Sequence, residues 1–192
     1  MNETPVVSAF LDASVLYPAL LRDILMRLAL RDVFHARWSA QVHDEWMSAL
    51  IRNRPDIPYA RIERTRHLMD THIQNALVEG YEHRIEALTL PDADDRHVLA
   101  AAIHCGAGII VTANLRDFPI AVLAGFGIEA VHPDAFILGL FDDNQDDVVA
   151  ALGRLRASLK NPPHTAADLL ADMKHQGLEA TADALGVFID AL

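Results

Sequence analysis

A single cysteine, Cys105, stands among 192 residues, so no internal disulfide can form, and a reducing, cytoplasmic setting is expected. Long apolar runs are missing as well. No stretch reaches the roughly 18 uncharged apolar residues that a membrane-spanning helix needs, so no membrane partner is expected. Met1 to Pro5 lacks the basic start of a secretory leader, and the apolar run behind it is broken by Asp12. Positive charge is scarce. Sixteen lysines and arginines face 27 aspartates and glutamates, a net charge of −11, which at first sight opposes binding to a phosphate backbone. Several catalytic signatures are also absent. There is no G-x-x-x-x-G-K-S/T or G-x-G-x-x-G phosphate loop, no nucleophile elbow, and no H-E-x-x-H among the ten histidines. Only His97 and His104 lie near the acidic motifs described below. A phosphatase of the D-x-D type would need an aspartate where Ser14 stands.

What is present is enough apolar material for a core. With 52% hydrophobic and 22% charged residues, the chain fits one domain with a small appendage. The charge is uneven. Five arginines (Arg52, Arg54, Arg61, Arg64 and Arg66) give residues 51–67 a balance of +3, whereas 141–192 carries −5. A basic segment on an acidic chain can touch phosphates, although a solvated helix face laced with i,i+4 pairs explains it equally.

Val6 to Leu11 is short, apolar and partly β-branched, as a buried parallel strand is, and it runs into Asp12. A helical run follows from Val15 to Leu30, starting near Pro18, and Val33 to Ala36 reads as a second strand. Ser39 is placed to cap a helix over Ala40 to Asn53. Beyond Pro55 and Pro58 the pattern predicts a helix from Tyr59 to Leu77, then a third strand from Arg84 to Leu90. Asp92 to Cys105 reads as a helix with an acidic first turn, ended by Gly106, before strand Ile109 to Thr112. Helix Pro119 to Leu123 and strand Ile128 to Val131 complete the alternation. Strands alternating with helices predict a parallel α/β sheet flanked by helices on both faces. Residues 146–192 carry no strand signal, and Pro162 and Pro163 divide them into helical pieces.

Four carboxylates fall where α/β folds carry their chemistry, at strand carboxyl ends and adjoining helix starts. Asp12 ends the first strand, Asp95 lies in the turn that opens a helix, and Asp117 follows the fourth strand. Glu45 lies on the Ser39-capped helix. At 100° per residue it borders a stripe made by Val42, Trp46, Ala49 and Asn53, with Asp44 nearly opposite. Each acid also has a plain structural use, as a helix cap or a solvated edge, and Asp92 with Asp95 has the spacing of a cap and its third residue. Gathered at one sheet edge without paired lysine or arginine, four carboxylates repel one another until a cation neutralises them. All-oxygen donors suit magnesium or manganese, an ion that can activate water and hold a scissile phosphate.

The pieces FLDASVLYP (Phe10 to Pro18), HDEW around Glu45, LPDADDRHVLAAAI (Leu90 to Ile103) and IIVTANLRDFP (Ile109 to Pro119) resemble, in order and spacing, the PIN domain of VapC-like toxins. The resemblance covers about residues 6–140 and ends on VHPDAFILGL. It implies a PIN-like nuclease domain over 1–140 and a helical C-terminal extension over 141–192. It implies a Mg2+- or Mn2+-dependent endoribonuclease, with Asp12, Asp95 and Asp117 as metal ligands and Glu45 completing the catalytic acids. Thr112 and Asn114 match polar positions that orient ligands or contact substrate. Asp92 and Asp94 crowd the same turn, and helix angles do not separate Asp94 from Asp95. RNA, a cognate antitoxin and a second copy in a homodimer are the implied partners. A PIN-like module that binds RNA or protein without cutting, and an RNA-processing nuclease with no toxin role, are the competing readings.

Overall fold

A computed structural model describes residues 6–192; Met1 to Pro5, and the leader expectation that rests on them, lie outside the described residues. Five parallel strands form one sheet in the order β3-β2-β1-β4-β5. β1 (Ser8–Leu11) is the middle strand, and its Phe10 pairs with Arg37 on one side and Ile110 on the other. Flanked by strands laterally and helices above and below, its last three residues are fully buried, which explains the unbroken apolar run. Asp12 then caps the short helix α1 (Ala13–Leu16), and Pro18 stands at the N-cap of α2 (Ala19–Ala29), where its missing N–H costs nothing.

β2 (His35–Ser39) starts two residues later than the predicted second strand, because Asp32 turns the chain with φ +55° and leaves Val33 and Phe34 packing ahead of the strand. Ser39 both ends β2 and caps α3 (Ala40–Asn53), its Oγ accepting from Val42 N at 3.2 Å. α4 (Tyr59–His72) stops five residues short of the expected Leu77; Asn75, at φ +59°, turns the chain back toward the sheet. The third strand is β3 (Leu77–Val78), paired with Trp38 and Ser39. Residues 84–90, expected as that strand, instead form a 3-10 helix, Glu82–Ala87, and an extended exit. Two residues are too few to show a period of two, so β3 owes its conformation to its partner.

α5 (Arg96–Cys105) begins four residues later than expected. Asp92 Oδ1 accepts from Asp94 N at 2.9 Å and holds the preceding turn out of the helix, so Asp95, not Asp92, takes the N-cap. Gly106 closes the helix at φ +69°, as its type predicts. β4 (Ile109–Val111), a 3-10 turn at Leu115–Asp117, α6 (Ile120–Leu123) and β5 (Glu129–Val131) follow.

From β5 the chain is helical: α7 (Pro133–Asp143), α8 (Gln145–Ser158), α9 (Ala166–His175), α10 (Glu179–Leu185) and a final 3-10 segment, Gly186–Ala191. Pro162 and Pro163 lie between α8 and α9, as expected. α8 packs on α2, and Phe136 of α7 meets Phe34 edge to face at 5.1 Å. Asp134 clasps α10: its carboxylate accepts from Ala180 N and Thr181 N, each at 2.9 Å, and from Thr181 Oγ1 at 2.6 Å. The division expected at 140/141 falls inside α7.

Candidate functional site

The order of strands places the site. From β1 the chain moves outward to β2 and β3, then crosses back to set β4 on the other side of β1. Right-handed crossovers in opposite directions put α3 and α5 on opposite faces and open a crevice beyond the carboxyl ends of β1 and β4. Asp12 and Thr112 are the first residues past those ends.

Asp12 is buried, 6% exposed, and its carboxylate is held by three donors. Oδ1 accepts from Ala13 N at 2.7 Å; Oδ2 accepts from Ser14 Oγ at 2.6 Å and Thr112 Oγ1 at 2.8 Å. The same hydroxyls are fixed in turn, since Ser14 Oγ accepts from Ala113 N at 3.1 Å and Thr112 Oγ1 from Asn114 N at 3.0 Å. Thr112 therefore orients Asp12. The other role expected of it, contact with substrate, is not available to a fully buried side chain whose hydroxyl is already spent. Asn114 is exposed and does face the crevice.

That crevice is a cleft of about 440 Å³. Asp12, Glu45 and Asp95 contribute its acids; Ser14, Tyr17, Trp46, Asn53 and Asn114 are among its walls, and neither lysine nor arginine lines it. The stripe inferred for α3 is thus real: Trp46, Ala49 and Asn53 face the cleft with Glu45 beside them. Asp44 points away and meets Arg66 at 3.1 Å. Asp95 is half-buried at the start of α5 and makes no cap hydrogen bond. Desolvation, reinforced by the charges of Asp12, Asp117 and Asp92, pushes its pKa up to about 6. Asp117, half-buried in the 3-10 turn, is outside the cleft lining but near enough to act on Asp95. Asp94 and Asp92 are exposed and do not line the cleft, so Asp95 is the acid of that turn that enters the site. Among the described residues no three His, Cys, Asp or Glu side chains converge tightly enough to enclose an ion.

Several participants were missed by reading the chain alone. Ser14 entered only as a missing aspartate. His97, 3% exposed, brings Nε2 to 2.8 Å from Glu45 Oε1. His104, its equal in the sequence reading, is at the far end of α5 beside His83. Trp46 is set by a buried chain of hydrogen bonds. Its Nε1 donates to His43 Nδ1 at 2.9 Å; an indole can only donate, so His43 carries its proton on Nε2, 3.0 Å from Asp70 Oδ1. Burial holds the His43 pKa down, consistent with that neutral ring. Trp38 Nε1 also donates to Asp70, at 2.8 Å. Over the Trp46 ring lies the guanidinium of Arg22, 4.8 Å from the ring centre. Of the five arginines in 51–67, Arg54 is taken by Asp56 and Arg66 by Asp44. A separate groove of about 480 Å³ between α2 and α4, lined by Met26, Leu30, Leu68, Met69 and Ile73, is apolar and holds one acid, Asp23. It does not coincide with the carboxylates.

The family model described as PIN domain matches residues 8–116, and one described as VapC50 C-terminal domain matches residues 133–187. A Mycobacterium tuberculosis (strain ATCC 25618 / H37Rv) protein named "Putative ribonuclease VapC50" is 34% identical over 116 residues, covering 60% of this chain and 68% of that protein. No solved structure matches significantly. Among the described residues no helix is long and apolar enough to cross a membrane.

Proposed function

The chain belongs to the PIN-domain family, and from that membership we propose that it is an endoribonuclease, the toxin of a VapC-type toxin–antitoxin pair, whose reaction is centred on the cleft of Asp12, Glu45 and Asp95. The observation that supports this most is the shared cleft of three carboxylates, from the end of β1, from α3 and from the start of α5, at the sheet's switch point with neither lysine nor arginine lining it. RNA would be the substrate, and the extension over 141–192, joined to the nuclease unit through α7, would be carried along with it.

Magnesium or manganese fits this donor set. The donors are carboxylate oxygens, and the acidic neighbours that add to desolvation in raising Asp95 to about 6 attract a doubly charged cation more strongly than a proton. Asp12, Asp95 and Asp117 would hold the ion, with Glu45 binding directly or through water. Such an ion supplies positive charge to a phosphodiester and acidity to a water molecule. The chain's own part is preorganisation. Ser14, Thr112 and the Ala13 amide leave Asp12 no freedom to turn away. Asn114 offers an exposed amide for a phosphate or ribose at the cleft mouth. Trp46, fixed by His43, closes the wall against water.

Cleavage of total RNA with manganese, by wild type and by Asp12→Asn and Asp95→Asn proteins whose circular dichroism matches wild type, tests the reading. Loss of cleavage in both variants is expected; full activity in either removes that acid. RNA binding without cleavage by the wild type would instead favour a non-catalytic module. A small antitoxin gene beside this one, and release of inhibition when its product is removed, separate a toxin from an RNA-processing nuclease.

A further inference from the structure

α5 is apolar in its buried turns, with Val98, Leu99, Ala100, Ala101 and Ala102 all fully covered. His97 breaks that pattern. It is 3% exposed, and its Nδ1 is buried without a hydrogen-bond partner, an arrangement that packing alone would not favour. Its other nitrogen, Nε2, stands 2.8 Å from Glu45 Oε1. A bare lone pair at that distance would repel the carboxylate, so Nε2 carries the hydrogen. Glu45 has no other ion-pair or hydrogen-bond partner among the described residues, and its side chain is 38% exposed on α3. A glutamate has three side-chain torsions to fix, and apart from His97 none of the described residues fixes the carboxylate end.

We propose that His97 is a positioning residue: it reaches from α5 to the α3 carboxylate of Glu45, holds that carboxylate at the acid end of the cleft, and leaves Oε2 free to act. This rests on the metal-dependent reading above and deepens it. Outer groups that orient a ligand carboxylate are worth about 10- to 100-fold in metal affinity or activity.

The atom-level assignment makes the test specific. His97→Leu removes the donor, His97→Gln places an amide N–H near the Nε2 position, and His97→Asn reaches only the Nδ1 side. Manganese affinity by electron paramagnetic resonance, RNA cleavage, and thermal stability in chelator are measured for each. In His97→Leu, thermal stability in chelator should hold or rise, since the orphan nitrogen disappears, while manganese affinity falls about 10- to 100-fold. His97→Gln should recover most of that loss and His97→Asn should not. In a Glu45→Gln background, His97→Leu should change manganese affinity no further. If His97→Leu fails to fold, the Gln and Asn pair decides alone. Unchanged affinity and cleavage in His97→Leu, equal behaviour of Gln and Asn, or an undiminished effect in the Glu45→Gln background would overturn the role of His97 and leave the nuclease reading standing. Wild-type protein that takes up no manganese would remove both.

Discussion

Replacing Asp95 with asparagine should make the metal-free protein more stable while disabling it. The Asp95 carboxyl holds its proton more tightly in the folded chain, with a pKa of about 6, than at its ordinary value of 3.8. Between those values the folded state binds more protons than the unfolded one, so stability falls as pH rises through the window and stays lowered above it. The full shift corresponds to roughly 3 kcal/mol. Asp95 is only half-buried, and water and salt screen it from Asp12, Asp117 and Asp92, so about 1 kcal/mol is the expected effect. Asparagine carries no charge and escapes the penalty. Urea unfolding in chelator should therefore show Asp95→Asn more stable by about 1 kcal/mol at pH 8, a melting shift of about 2–4 °C, and equal to wild type near pH 4. Manganese should reverse the order. At a hundredfold excess over the dissociation constant the wild type gains about 2.7 kcal/mol, and the variant gains less. A variant less stable than wild type in chelator at pH 8, or a difference unchanged at pH 4, would refute the electrostatic account of the cleft.

Thr112→Val deletes a buried hydroxyl that serves Asp12 and the Asn114 amide, and should cost about 1–3 kcal/mol in urea unfolding with a matching loss of cleavage. Asp134→Ala frees the amides of Ala180 and Thr181, so α10 should loosen by about 1–2 kcal/mol and become sensitive to limited proteolysis, while manganese uptake stays as in wild type. Arg52, Arg61 and Arg64 have no ion-pair partner among the described residues. Replacing all three with glutamine should lower the slope of RNA affinity against salt by about 2 on logarithmic axes if they touch phosphates, and leave it unchanged if they are a solvated face.

Where local chemistry decides the structure, the sequence was readable. The run from Ala9 to Leu11 is fully buried, so it shows as apolar without interruption, and its end at Asp12 follows directly. Ser39 and Gly106 announced the limits of their helices because capping is a one-residue event. The stripe on α3 was visible because helical geometry fixes angles within a single element. β3 was not visible, since two residues carry no periodicity and take their conformation from Trp38 and Ser39. The late start of α5 turned on one Asp92 hydrogen bond that competes with a helical turn. Of the acids that line the cleft, Asp12 and Asp95 were readable from a strand end and a helix start, and Glu45 from the α3 stripe. What holds them was not, because Thr112 reaches Asp12 across 100 positions and His97 reaches Glu45 from a different helix. Such pairings follow from crossover direction and not from any spacing along the chain.

The central place of β1 has a consequence for the order of assembly. Its neighbour on one side is made soon after it, but its neighbour on the other, β4, begins only at Ile109. A chain still leaving the ribosome can dock β2 and β3 long before β4 exists, and a late parallel strand must insert along an edge already waiting for it. Until it does, Asp12 lacks the Thr112 hydroxyl, and Asp95 has no fixed neighbour at position 117. The nascent half-sheet is therefore unarmed: on the function proposed above, cleavage would begin only once synthesis has passed well beyond the midpoint of the sheet.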